Sequence, residues 1–231
     1  MKNTLFCILI VMVSFGCKKG NIPHYTISRL VKSDTASKLT ININSRLNQA
    51  QLLAIATKVK ADSAKLPKLQ INYLLSGHSD KGTGLNNYYA VAKYPDGATT
   101  NMQDTLKDDD GNIVRLKVNG LSAQIAKKLI NLNPKEIEGK TVLGRYVDDN
   151  NQTLIVPFMN KAGTKTEIYV IELDTTGKVV SATVPVVVVK DGVKKLLVTQ
   201  HGDYITIKDS LLTQYAVDDF GLPYNSIRSG L

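Results

Sequence analysis

The chain has no tryptophan, four phenylalanines, three histidines and two cysteines. Each scarcity excludes something. Cys7 lies in an apolar leader, so Cys17 is the one thiol left for a mature body; a disulfide framework and a cysteine-based metal site are both excluded. An all-histidine metal site would need His24, His78 and His201 together, and His24 falls in an N-terminal tether. No apolar run reaches the about 20 residues of a spanning helix. Acidic residues are the minority, 20 Asp+Glu against 29 Lys+Arg for a net charge of +9. The excess is spread out: the densest clusters are Lys18-Lys19, Lys127-Lys128 and Lys194-Lys195. Without an Arg-rich stripe and interleaved aromatics, nucleic acid is not the expected partner. The balance suits solubility or attraction to an anionic membrane surface.

The most informative stretch is at the start. Lys2 is followed by an apolar run, Leu5 to Phe15, that ends in Ser14-Phe15-Gly16-Cys17. A run of this length fits a signal-peptide h-region of about 7–15 residues. Small side chains at Ser14 and Gly16 suit a peptidase cutting between Gly16 and Cys17. This segment resembles the lipobox of bacterial lipoproteins, which implies a diacylglyceryl group on the Cys17 sulfur and acylation of the new amine. It departs from the common pattern at Ser14, where Leu is usual, and at bulky Phe15. The bland alternative is an ordinary secretory leader with a bystander cysteine, or an uncleaved anchor. Residues 1–16 are thus read as signal peptide and 17–27 as lipidated cysteine and tether. No acidic cluster follows Cys17, unlike many surface lipoproteins of the Bacteroidota, so by that resemblance the body faces the periplasm.

Beyond the tether, Leu39, Ile41 and Ile43 alternate with Thr40, Asn42 and Asn44, the mark of a half-buried strand. Asn48 and Gln51 have capping-box spacing, and Leu52, Ile55, Ala56 and Val59 share one helical face. Strands are expected at 69–75, 86–94 and 112–120, and a second helix capped by Ser122 with apolar Ile125, Leu129, Ile130 and Leu132. After Gly139 short strands recur between turn signals, as in an antiparallel meander. Pro185 inside a valine-rich run marks an edge or a bulge. The expected class is α+β: a β-α-β-β-β-α unit over 28–135, then an all-β meander over 136–231, as a small barrel or sandwich.

Several constellations invite chemistry. Ser76, His78 and Asp80 are hydrolase-triad residue types, but i, i+2, i+4 on one loop does not make triad geometry. Gly77 and Gly82 have the Walker interval without the Lys-Ser/Thr that must follow. Asp108, Asp110 and Asn112 occupy positions 1, 3 and 5 of a calcium loop, yet Ile113 replaces its glycine and Asn119 its final glutamate. Asp110-Gly111 reads instead as a hairpin turn. His201 and Asp203 open a strand without a nucleophile elbow. Tyr88 and Tyr89, with Tyr94, are either core residues with hydroxyls at the rim or a sugar or peptide platform. His78, Asp80, Tyr88, Tyr89, His201 and Asp203 are the binding candidates. No catalytic residue, metal ligand or cofactor is assigned.

One further resemblance covers residues 38–224. Tyr73, Leu74, Gly77, Gly82 and Gly84, then Gly144-Arg145-Tyr146, His201-Gly202-Asp203-Tyr204 and Asp219, Gly221 and Leu222 are similar to short motifs of an uncharacterised domain of secreted bacterial proteins. The chain lacks that domain's tryptophans. The resemblance implies fold and export, and no mechanism. The resulting expectation is a membrane-anchored envelope lipoprotein with a non-catalytic binding or scaffolding body and a protein or glycan partner. A periplasmic hydrolase and an inhibitor or immunity-type protein are the alternatives.

Overall fold

A computed structural model describes residues 22–33, 35–66, 68–78, 88–95, 105–217 and 223–230. Gly16, Cys17 and Asp80 lie outside the described residues, as do Gly82, Gly84, Asp219, Gly221 and Leu222. Among the described residues strands dominate, with two α-helices and three sheets, none of which closes into a barrel. The described residues form two compact units: one within Met1–Asn44, Asn48–Tyr73 and Ala90–Val118, the other within Ser45–Leu47, Leu74–Tyr89 and Asn119–Leu231.

The first unit is a sheet and a helix. β1 (Tyr25–Lys32), β2 (Ser37–Ile43), β3 (Leu69–Leu75), β4 (Ala90–Lys93), β5 (Thr105–Lys107) and β6 (Ile113–Val118) lie in the order β1-β2-β3-β4-β6-β5. Helix α1 (Gln49–Asp62) begins as its capping box dictates. The Asn48 side chain accepts from Gln51 N at 2.9 Å and the Gln51 side chain accepts from Asn48 N at 3.0 Å. Leu52, Ile55, Ala56 and Val59 are buried, as their spacing requires; burying each larger one is worth about 1.5–3 kcal/mol. Buried Tyr73 on β3 donates its hydroxyl to the Leu52 carbonyl at 2.7 Å, tying sheet to helix.

Three departures from the sequence reading concern this unit. β1 starts at Tyr25, inside the stretch read as tether. Thr40, expected on the solvent side, is buried on an inner strand between β1 and β3. Of the strand expected over 86–94, Ala90–Lys93 form β4, and Tyr88 and Tyr89 are not on it. The hairpin reading of Asp110-Gly111 holds: Gly111 sits at φ +80° between antiparallel β5 and β6.

The second unit is layered. Helix α2 (Ala123–Ile130) packs on a sheet of β7 (Thr141–Val142), β8 (Tyr146–Asp148), β9 (Thr153–Ala162), β10 (Lys165–Leu173) and β11 (Val179–Thr183). The other sheet runs β12-β13-β14-β15-β16: β12 (Val186–Lys190), β13 (Val193–Leu197), β14 (Tyr204–Lys208), β15 (Leu211–Tyr215) and β16 (Pro223–Arg228). Leu154, Val156 and Phe158 of β9 pack with Leu129 of α2, whereas Ile155 packs with Leu196, Ile205, Leu212 and Ile227 of the other sheet. Residues 153–158 are therefore buried without alternation, because both faces of β9 are covered. Pro157 sits in this central strand at a gap. Its carbonyl accepts from Leu143 N, so its donorless nitrogen faces the irregular segment 143–145 between β7 and β8.

Pro185 breaks the expected single valine-rich strand in two; β11 and β12 are edges of different sheets. In α2, Ile125 is exposed, since the buried stripe runs through Ala126 and Leu129. Arg145 closes the C-terminal end of that helix by donating from Nη1 to the carbonyls of Ile130, at 3.1 Å, and Leu132. A Cβ on Gly144 would fall 2.4 Å from the Tyr146 hydroxyl, so glycine lets the fully buried Tyr146 ring lie against the backbone.

Candidate functional site

The second unit holds a small open cleft of about 260 Å³ lined by His78, Tyr88, Tyr89, Asp148, Asp149, Asn150, Asn225 and Ile227. Its enclosed part has room for about one water molecule, far below the about 300–1,000 Å³ of a small-molecule pocket.

The floor is a buried ion pair. Arg46 Nη1 meets Asp149 Oδ1 at 2.5 Å, with side chains 4% and 11% exposed. The same Arg46 nitrogen donates to the Leu121 carbonyl at 2.9 Å, and Leu121 N donates to Asp149 Oδ1 at 2.7 Å. The residues before Leu121 hold the neighbouring aromatic: Asn119 N and Gly120 N both donate to the Tyr89 carbonyl, and Asn119 Nδ2 donates to the Tyr88 carbonyl. The Tyr89 hydroxyl donates to Leu47 O at 2.9 Å, and the Arg46 guanidinium lies 5.8 Å from its ring centroid. Segments 45–47, 88–89, 119–121 and 148–150 thus lock one another. This is how a charged pair survives burial, with each charge compensated and hydrogen-bonded.

Asp148 ends β8 and leads the turn into β9. Its Oδ1 accepts from Asn150 N at 2.9 Å and its Oδ2 from Asn151 Nδ2 at 3.1 Å. Burial pushes its carboxyl above the ordinary value, against the pull of those donors. Asn225 on β16 donates from Nδ2 to Gln214 Oε1 at 2.7 Å.

His78 follows β3 in a turn where Gly77 adopts φ +88° and His78 N donates to Leu75 O. The imidazole Nε2 is buried and meets no hydrogen-bond partner among the described residues; the same holds for Asp149 Oδ2. Desolvation, helped by the Arg46 charge and opposed by Asp149, lowers the His78 pKa to about 4. The ring is neutral at pH 7. Two buried atoms without a partner among the described residues thus belong to residues that line one cleft. No Ser, Thr, Cys or Lys lines it, so it presents no aliphatic hydroxyl, thiol or amine nucleophile among the described residues.

Of the sequence candidates, His78, Tyr88 and Tyr89 converge here. His201 and Asp203 do not. They occupy the turn between β13 and β14, where Asp203 N donates to Thr199 Oγ1 and Asp203 Oδ1 accepts from Val217 N. The calcium-loop residues also serve a turn: Asp108 Oδ1 accepts from Asp110 N at 3.1 Å and Asn112 N at 2.7 Å, and the Tyr94 hydroxyl donates to Oδ2. Sequence reasoning missed Arg46, Asp148, Asp149, Asn150 and Asn225. The Asp-Asp-Asn-Asn turn signal was the one available clue to three of them. Compared with family models, curated proteins and solved structures, the chain matches none.

Proposed function

We propose that the chain is a lipid-anchored lipoprotein of the cell envelope, attached through Cys17 with its body facing the periplasm, and that the body is a non-catalytic binding module. The anchor rests on the leader and the Ser14–Cys17 segment. The binding reading rests on one observation above the rest: the cleft gathers His78, Tyr88 and Tyr89 but commits its Asp149 carboxylate to Arg46. A histidine held neutral to about pH 4 is a poor match for general-base work near neutrality. Residues lining the cleft also carry two buried atoms without a partner among the described residues, His78 Nε2 and Asp149 Oδ2. A local opening of the cleft would let one polar tip, such as a glycan hydroxyl or a protein side chain, reach them.

The hydrolase reading has one observation in its favour, a histidine and a carboxylate lining the same cleft. Capture from detergent-solubilised envelopes separates the two. The native chain retains a glycan or protein that the His78→Ala and Asn225→Ala chains release. Turnover of ester, amide or glycosidic substrates that vanishes with His78→Ala would instead establish the enzyme. In parallel, mass spectrometry of the mature N-terminus finds acyl chains on Cys17, and the Cys17→Ala chain leaves the membrane fraction. A bare Cys17 sulfur or a retained leader overturns the anchor alone.

A further inference from the structure

Among the described residues, each of the three sheets ends in strands with an unpaired side, and all but one of those edges are blunted. β1 carries a register shift between Ile27 and Arg29 and the charges of Arg29 and Lys32. The β10–β11 and β15–β16 pairings shift register at Glu172/Leu173 and Gln214/Tyr215, and β16 opens on Pro223. β5, β7 and β8 are three residues long or shorter. Bulges, charges, proline and shortness are the usual devices against edge-to-edge pairing. β12 has none of them within Val186–Val189. It pairs with β13 in unbroken register, its five residues are all exposed, and Val186 and Val189 are 65% and 68% accessible.

The hairpin geometry says which backbone groups that edge offers. Asp191 and Gly192 both have positive φ, 53° and 75°, and form a two-residue turn flanked by the pair Lys190 and Val193. In such a hairpin the flanking pair is hydrogen-bonded, so Val186, Val188 and Lys190 direct their N–H and C=O groups at β13. Val187 and Val189 direct theirs outward. So does Pro185, which has no N–H to give.

We infer that the outer edge of β12 pairs antiparallel with the same edge of a second copy of this chain, centred on Val188. The register is selected by what flanks the strand. A centre on Val187 wastes outward bonds on Pro185; a centre on Val189 runs Val187 into the Asp191-Gly192 turn. Centred on Val188, Val187 of each copy faces Val189 of the other, and both residues exchange N–H and C=O. Lys190 then lies opposite Val186 and never opposite another lysine, whereas a parallel pairing sets Lys190 against Lys190. The contact is isologous, so it uses up the edge and stops at a dimer. Five residues span about 17 Å, and such an edge is small beside the about 800 Å² per partner of standard interfaces. The dimer therefore belongs to the weak, concentration-dependent class.

The test uses the chain from Lys18 onward, which keeps every described residue and contains no cysteine. In sedimentation velocity its average mass rises with concentration from one chain toward two and no further. Val187→Pro removes an outward donor without touching the β12–β13 ladder; its thermal melt stays near native and the mass stays at one chain. Under mild oxidation Val188→Cys forms a covalent dimer at least about tenfold faster than Val186→Cys, because Val188 alone meets itself, at the close Cα spacing of a non-hydrogen-bonded pair. A chain monomeric at all concentrations, growth past the dimer, or equal crosslinking at 186 and 188 overturns the proposal. The crosslinking comparison decides it even if the proline variant misfolds.

Discussion

Arg46 and Asp149 are 103 residues apart in the chain and meet at 2.5 Å as a buried ion pair. Removing one partner leaves the other charge buried without compensation, at a cost of about 3–5 kcal/mol. Arg46→Ala and Asp149→Ala are each expected to lower the unfolding free energy obtained from urea titration by an amount of that order. The double variant should lose clearly less than the sum. Additive losses in this cycle would show that the two side chains do not act as a pair.

The neutral His78 ties stability to acidity. Its pKa falls from 6.5 in the free side chain to about 4 in the fold. Between those values the unfolded chain binds a proton that the folded chain refuses. The contribution is whole above about pH 6.5 and is lost as pH falls toward 4, by about 3 kcal/mol at most. Chemical denaturation of the native and His78→Gln chains from pH 7 to pH 4 should show the native chain losing more. Parallel curves would place the imidazole in solvent.

Gly120 is required by contact, and Gly111 by backbone conformation. A Cβ at 120 would lie 2.4 Å from Tyr89 Cδ2 and 3.1 Å from Asp149 Cγ, whereas one at 111 meets nothing within 4 Å. Gly120→Ala is expected to cost about 1–3 kcal/mol through overpacking. In a Tyr89→Leu background the same change should cost less, since the obstructing ring atoms are gone. At Gly111, where φ is +80°, alanine pays backbone strain of about 1–2 kcal/mol regardless of neighbours. Thermal melts of the native chain and the four variants, Tyr89→Leu alone included, check the distinction.

Asp108 spends its carboxylate on the turn and on Tyr94. Asp108→Ala should therefore destabilise by about 1–3 kcal/mol, equally with calcium and with a chelator present. A melting temperature that rises with calcium in the native chain and not in the variant would restore the ion-binding reading.

Legibility in the sequence followed the range of the interaction. The α1 capping box, the Ser122 cap and the Asp110-Gly111 hairpin are decided within four residues, and each could be read directly. Buried Leu39, Ile41 and Ile43 were visible as a period of two. β1, β5 and β16 were not visible. β1 is mostly exposed, β5 is three residues long, and β16 mixes Pro223, Asn225 and Ser226, residues that usually announce a turn. Asn225 and Ser226 are tolerated because Gln214 and Thr213 on the paired strand receive their hydrogen bonds.

The candidate cleft divides in the same way. His78 and Tyr88-Tyr89 stand out as residue types in an unusual stretch, and residue chemistry was enough to single them out. That His201 stays out of the cleft while Arg46 lies beneath it depends on segments brought together from far along the chain.

By itself the sequence determined the local conformations, the helix starts, the turn chemistry and the strand periodicity, because these depend on neighbours within a few residues. Only the tertiary structure decided that β9 is covered on both faces, that Pro185 separates two sheet edges, and that an aspartate in a turn neutralises an arginine beside a helix cap. Those outcomes depend on which surfaces leave water together, and that is a property of the packed chain, which no short window of residues contains.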